Sequence, residues 1–164
     1  MRNPLAGAAR HRAKSTILDG VVAGAIAGAL SGAPSTVHAI ATGANPLEAS
    51  LAAGSLLFPR EHSTSRLLIA AVPVHFALSI GWGIALAAAL PRRATSRWGA
   101  VAGLAIAAID LGLVGSRYPR IASLAAGPQV ADHLAYGAIV GAMLYRRRAN
   151  PSPSPRQYIS DTPR

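Results

Sequence analysis

The sequence predicts an all-α fold, a bundle of four transmembrane helices, and three observations lead there. Of 164 residues 51% are hydrophobic and 13% charged, with a mean hydropathy of +0.34, more apolar than a water-soluble domain of this length. The charges fall in short clusters that separate four long runs almost free of them. Those runs show none of the apolar–polar alternation of a strand, and lipid offers the backbone no water partner, so each run closes its hydrogen bonds as a helix.

The elements follow in order. Residues 1–16 hold Arg2, Arg10, Arg12 and Lys14 and form a basic leading segment. The first span covers 17–42, in which Asp19 is the only charge before Pro34; about 20 residues suffice to cross a bilayer. A secretory leader cleaved near Ala39 is the rival reading, but three further spans would hold the chain in the membrane regardless. In the connection that follows, Asn45 reads as an N-cap, Pro46 as the first helical residue and Glu48 as the side chain reaching back. They open a short interfacial helix to about Phe58, with Leu47, Leu51 and Phe58 on its apolar side.

Spans two to four cover 66–90, 98–116 and 129–145. They end in Pro91-Arg92-Arg93, Arg117-Tyr118-Pro119 and Arg146-Arg147-Arg148. Trp98, Tyr118 and Tyr145 stand at the water boundaries, as interfacial aromatics do. The membrane domain thus covers 17–148, and the Pro- and Ser-rich tail 149–164 is expected to be disordered.

Charge sets the orientation. Twelve Lys and Arg fall on the side of the termini and four on the other, which places both termini in the cytoplasm by the positive-inside rule. A net charge of +10 would otherwise suggest nucleic acid, but clusters at span ends make no basic groove; their expected partners are the lipid bilayer and its anionic headgroups, with no nucleic acid. The chain has no cysteine, which excludes disulfides and thiolate sites. No P-loop or nucleophile elbow occurs, Gly81-Trp82-Gly83 lacks the setting of a dinucleotide loop, and Ser123 has no local base.

Small residues recur at intervals of four. Gly20, Gly24, Gly28 and Gly32 form one stripe; His75, Ser79, Gly83 and Ala87 a second; His133, Gly137, Gly141 and Tyr145 a third; Gly99, Gly103 and Ala107 a fourth. Missing side chains on one helix face let a second backbone approach, within the bundle or in a homo-oligomer or partner membrane protein. The chain also repeats itself: GVVAG at 20–24 answers GAVAG at 99–103, ASLAAG occurs at 49–54 and 122–127, and a histidine-led stripe and an arginine pair follow each time. Order is kept although spacing is not, which predicts a tandem repeat of two helix pairs in parallel orientation.

Ionisable groups at membrane depth are costly and mark candidate sites. His38, His75, Asp110 and His133, one from each span, fall in the outer half of the bilayer at a helical rise of about 1.5 Å per residue, with Asp132 beside His133. Such a layer can relay protons or bind a transported cation. The histidines His38, His75 and His133 can alternatively hold a metal such as Zn²⁺, although no compact ligand motif is present, or two of them a haem. A structural role, with Asp110 paired to a single histidine and the others facing loops, stands beside these. No cofactor is predicted, and the chain reads more as a non-enzyme than as an enzyme.

GAPSTVHA at 32–39 and ADHLAYGAIVG at 131–141 resemble segments of small multi-pass membrane proteins of high-GC actinobacteria. The apolar, Ala- and Gly-rich spans and the histidine opening the last one are more faintly similar to the YagU-like family of bacterial inner-membrane proteins. The resemblance implies an inner-membrane location and a helical build, and no catalytic residues. The expected function is that of a small transporter or a proton- or cation-handling protein using the Asp/His layer, the alternative a non-catalytic subunit or assembly factor binding partner helices through its glycine faces.

Overall fold

The computed structural model describes residues 4–149, and every regular element among them is helical. α1 (Pro4–Leu30) takes in most of the basic leading segment. A two-residue turn at Ser31 and Gly32 separates it from α2 (Ala33–Thr42). Pro34 explains the interruption, since it carries no N–H to continue the ladder and is at home in the first turn of the next helix. α2 closes on Gly43 at φ 71°, with the Ala44 N–H bonded to Ala39 O at 2.8 Å, a left-handed terminus that favours glycine.

α3 (Glu48–Gly54) is the short helix expected between the first two spans. Asn45 Oδ1 accepts the Leu47 N–H at 3.0 Å, while Glu48 turns away from the cap to stand 3.9 Å from Arg120. The apolar side differs from expectation: Leu51 is buried, whereas Leu47 and Phe58 are exposed. The reason is that α3 lies against the following helix, and a Cβ at Gly54 would run into the backbone of Leu67.

α4 (Thr64–Ala89) contains Pro73 without ending there. α5 (Thr95–Ala107) starts at Ala94, in the left-handed region at φ 52°, and continues as a π-helical segment, Ala108–Val114, and a 3-10 turn, Gly115–Arg117. α6 (Pro119–Ala122) leads into α7 (Ala126–Ala149). Three segments are long and apolar enough to cross a membrane: Ala13–Thr42, Thr64–Ala89 and Thr95–Arg117. α7 is long enough at 24 residues but begins with Gln129, Asp132 and His133 and ends in three arginines, so its composition is that of a polar-faced helix. The expected tail beyond Ala149 and the first three residues lie outside the described residues.

Large apolar side chains face outward as well as inward. Ile69 and Val72 of α4 are 74% and 59% exposed, while the interior mixes Ala23, Ala27 and Ala87 with Leu86, Ile106, Val140 and Leu144. Exposed apolar groups, with small residues where the helices cross, suit a lipid solvent, where helices associate by close van der Waals contact. α4 packs on α1 and α3, and α7 on α5 and α1.

The two main crossings share one geometry. A Cβ on Gly83 would collide with Gly20 O and stand 2.9 Å from Gly24 N; one on Gly137 would collide with Gly99 O and stand 2.9 Å from Gly103 N. Gly28 lies over Ser79, and Gly141 over Thr95 and Ser96. Gly32 has nothing within 4 Å of its Cβ position, because the chain turns there. In the register of these crossings Gly137 answers Gly83, so His133 answers Ser79 and the two histidines do not match.

The end at which α7 finishes is tied shut. Arg147 Nε donates to Asp19 Oδ1 at 2.6 Å, and Arg148 donates to Ala87 O at 2.8 Å and Leu90 O at 3.2 Å, satisfying carbonyls that the last turn of α4 leaves without partners.

Candidate functional site

At the opposite end a cavity of about 680 Å³ opens between α1, α2, α3, α4, the π segment and α7. Trp82, His75 and Ser79 reach it from α4, Asp110 from the π segment, and Gln129, Asp132, His133 and Tyr136 from α7. Spacing explains the convergence, since His75, Ser79 and Trp82 share one face of α4, and Gln129, Asp132, His133 and Tyr136 one face of α7. Asp110 is third in the π segment, a local widening of the helix that recurs at functional sites.

The centre of the site is the contact of α5 with α7. Asp110 Oδ2 accepts the Trp82 indole N–H at 3.2 Å and lies 3.5 Å from His133 Nε2. Nδ1 of His133 is 2.8 Å from Gln129 O; a carbonyl only accepts, so Nδ1 carries a proton. That leaves Nε2 toward the carboxylate, where a neutral imidazole would set a lone pair against two more. Asp110 Oδ2 and His133 Nε2 thus face each other across 3.5 Å, a gap that a proton or an N–H donor can bridge. Among the described residues no donor reaches Asp110 Oδ1.

The other predicted residues have separate partners. His75 Nε2 donates to Gly28 O at 2.7 Å, in the last turn of α1 where the ladder stops. Asp132 Oδ1 accepts the Ser35 N–H at 2.9 Å, capping the N-terminus of α2 from α7, a place where a negative charge meets the positive end of the helix. His38 does not join the layer: it is exposed on α2 and does not line the cavity, because the turn at 31–32 starts a new helix with its own rotation. The set His38, His75 and His133 is accordingly not gathered, and among the described residues no three His, Asp or Glu stand close enough to hold a metal ion.

Sequence reasoning missed Trp82 and Tyr136. The Tyr136 hydroxyl donates a short hydrogen bond to Ser79 O, tying α7 to α4. Their signal was there, since Trp82 falls seven residues after His75 and Tyr136 three after His133, on the same helix faces, and both sit far from the boundaries where such rings collect.

Outside the spans, Glu61 accepts the N–H groups of Ser63 at 2.8 Å and His62 at 2.9 Å and pairs with Arg66 at 3.1 Å. The Ser63 N–H first, then Arg66 and the His62 N–H, hold its carboxyl below the usual range. Compared with protein-family models, with curated proteins and with solved structures, the chain matches none of them.

Proposed function

We propose that this chain is an integral protein of the bacterial inner membrane, allied to the actinobacterial multi-pass proteins it resembles, that crosses the bilayer four times with both termini in the cytoplasm and handles protons or cations. α7 serves as the fourth span because its polar residues face the cavity rather than the outside, and a helix whose polar groups are turned inward crosses at lower cost than its mean composition implies. The two like-built crossings support an origin as a tandem repeat of helix pairs. With the termini inside, the cavity opens outward and the Asp19–Arg147 pair closes the cytoplasmic end.

The observation that carries the functional reading is the contact of Asp110 with His133, 3.5 Å apart at the wall of an open cavity. A carboxyl group held there between an indole and an imidazole can exchange a proton for another positive charge. The alternative, a subunit recruiting partners through glycine faces, draws less support, since Gly20, Gly24, Gly83, Gly103, Gly137 and Gly141 already receive backbone within the chain.

In proteoliposomes with an internal pH dye, a cation gradient is expected to drive proton movement through the wild-type protein and not through Asp110→Asn. Unchanged flux in a normally inserted variant would sink the reading. Cysteines introduced at Ser63 and Ser154 should label from outside and inside respectively; the reverse pattern overturns the orientation.

A further inference from the structure

We propose that the cavity binds a protonated primary or secondary amine with an apolar body, whose ammonium docks between Asp110 and His133 and displaces a proton from the imidazole. This inference rests on the cation-handling reading and names its substrate class.

The wall chemistry selects the charge. Asp110 and Asp132 line the cavity, and among the described residues no Lys or Arg does. Asp132 is engaged by Ser35 N–H, which leaves Asp110 to meet a ligand. The geometry selects an N–H donor over a bare ion. Asp110 Oδ2 and His133 Nε2, 3.5 Å apart, are close enough for one ammonium nitrogen to donate to both at about 2.8 Å. A hard metal ion wants about six oxygens around it, whereas here the second ligand atom is an imidazole nitrogen and no three-carboxylate or histidine group surrounds it. The volume, about 680 Å³, is that of a site for a drug-sized molecule. Leu78, Ile106 and Leu111 offer apolar wall, and Trp82 and Tyr136 aromatic surface, which attracts cations.

The exchange balances. The imidazolium N–H bond of His133 breaks and its proton passes to cavity water; the freed lone pair accepts an N–H of the ammonium, whose charge faces the Asp110 carboxylate. One cation enters, one proton leaves, and the net charge of the site is unchanged. The other titratable groups facing the pair are His75 from α4 and Asp132 and Tyr136 from α7; α2, α3 and α6 bring none into the cavity. His75 and Tyr136 each donate to a backbone carbonyl, so none of the three lies between the ammonium and its acceptors.

Calorimetry on the full-length protein in nanodiscs tests this, with phenethylamine as probe, empty nanodiscs as blank and buffers of differing ionisation enthalpy. One proton should be released per amine bound, and Kd should weaken about tenfold for each pH unit lowered while the pair holds its proton. Phenethyltrimethylammonium, of the same charge but without N–H, should bind at least about tenfold more weakly, a difference of about 1.4 kcal/mol; this arm needs no variant and hence no assumption about folding. Asp110→Asn should bind neither. Binding without proton release, or equal affinity for both probes, overturns the inference. Absence of amine binding alongside Asp110-dependent proton flux driven by an inorganic cation overturns it too but leaves the cation-handling reading standing, whereas loss of both ends both.

Discussion

The crossing of α1 with α4 and the crossing of α5 with α7 are built alike and furnished differently. Gly20 and Gly24 meet Gly83 as Gly99 and Gly103 meet Gly137, and in that register Trp82 answers Tyr136 and Arg92-Arg93 answers Arg146-Arg147. Yet His133 stands where the first pair has Ser79, and Gln129 where it has His75. Each aromatic donates across to the other pair, Trp82 to Asp110 and Tyr136 to Ser79 O. The two glycine frames are interchangeable in kind because a missing side chain does one thing, admit a backbone. The polar groups are not, and one carboxylate–imidazole contact arises where one frame carries His133 and the neighbouring segment Asp110. The ASLAAG copies diverge likewise: the first forms α3 and seats Gly54 on Leu67, whereas the second straddles the end of α6 and the start of α7, with nothing within 4 Å of a Cβ at Gly127.

Substituting the glycine at the heart of each crossing is the severest way to break that likeness. Gly83→Leu and Gly137→Leu should each lower stability by about 3 kcal/mol, the upper range for overpacking, read as the melting temperature of the purified protein, while Gly127→Ala leaves it unchanged. If Gly137→Leu proves harmless and Gly83→Leu does not, the crossings are not equivalent. The aromatic pair separates scaffold from site more finely. Tyr136→Phe should cost about 1–3 kcal/mol, since it leaves the Ser79 carbonyl without that donor, and Trp82→Phe a similar amount, but Trp82→Phe should also alter the pH profile of flux, because its indole touches the Asp110 carboxylate.

The junction between α4 and α5 offers a gain. Ala94 at φ 52° carries the strain of a left-handed conformation that glycine adopts freely; Ala94→Gly should raise stability by about 1 kcal/mol, and an unchanged or lower melting temperature would contradict that account. The smallest effect lies in the loop before α4, which holds Glu61 and has no carboxylate counterpart in the loop before α7. A carboxyl whose folded pKa is lowered contributes above its unfolded pKa, and that contribution is lost as pH falls through the folded value. The start of α4 should thus exchange amide hydrogens faster in acid, and Glu61→Gln should show the faster exchange already at neutral pH.

Much of this was legible along the chain. The helical class, the segments rich enough in apolar residues to cross a membrane, the short helix after Asn45 and the glycine intervals follow from local composition and period, which act over one or two turns. Asp110 and His133 were nameable as costly groups at depth. Their partnership was not, because it depends on which faces two helices present after packing, and a π turn that no local signal marks adjusts where Asp110 arrives. Matching His75 with His133 by their stripes was natural in sequence; the glycine crossings set the register one turn away. His38 shows the same limit, since the turn before α2 rotates it out of a layer that depth alone would have it join.

The sequence by itself determined that this chain forms apolar helices and which of their residues are too polar to be there without a reason, because hydropathy and helical period act locally. Only the tertiary structure decided that Asp110 and His133 meet, that Asp132 caps α2 and that Arg147 and Arg148 close the other end. Those are contacts between residues distant in the chain, and their distances are set by how closely glycine-lined helices approach.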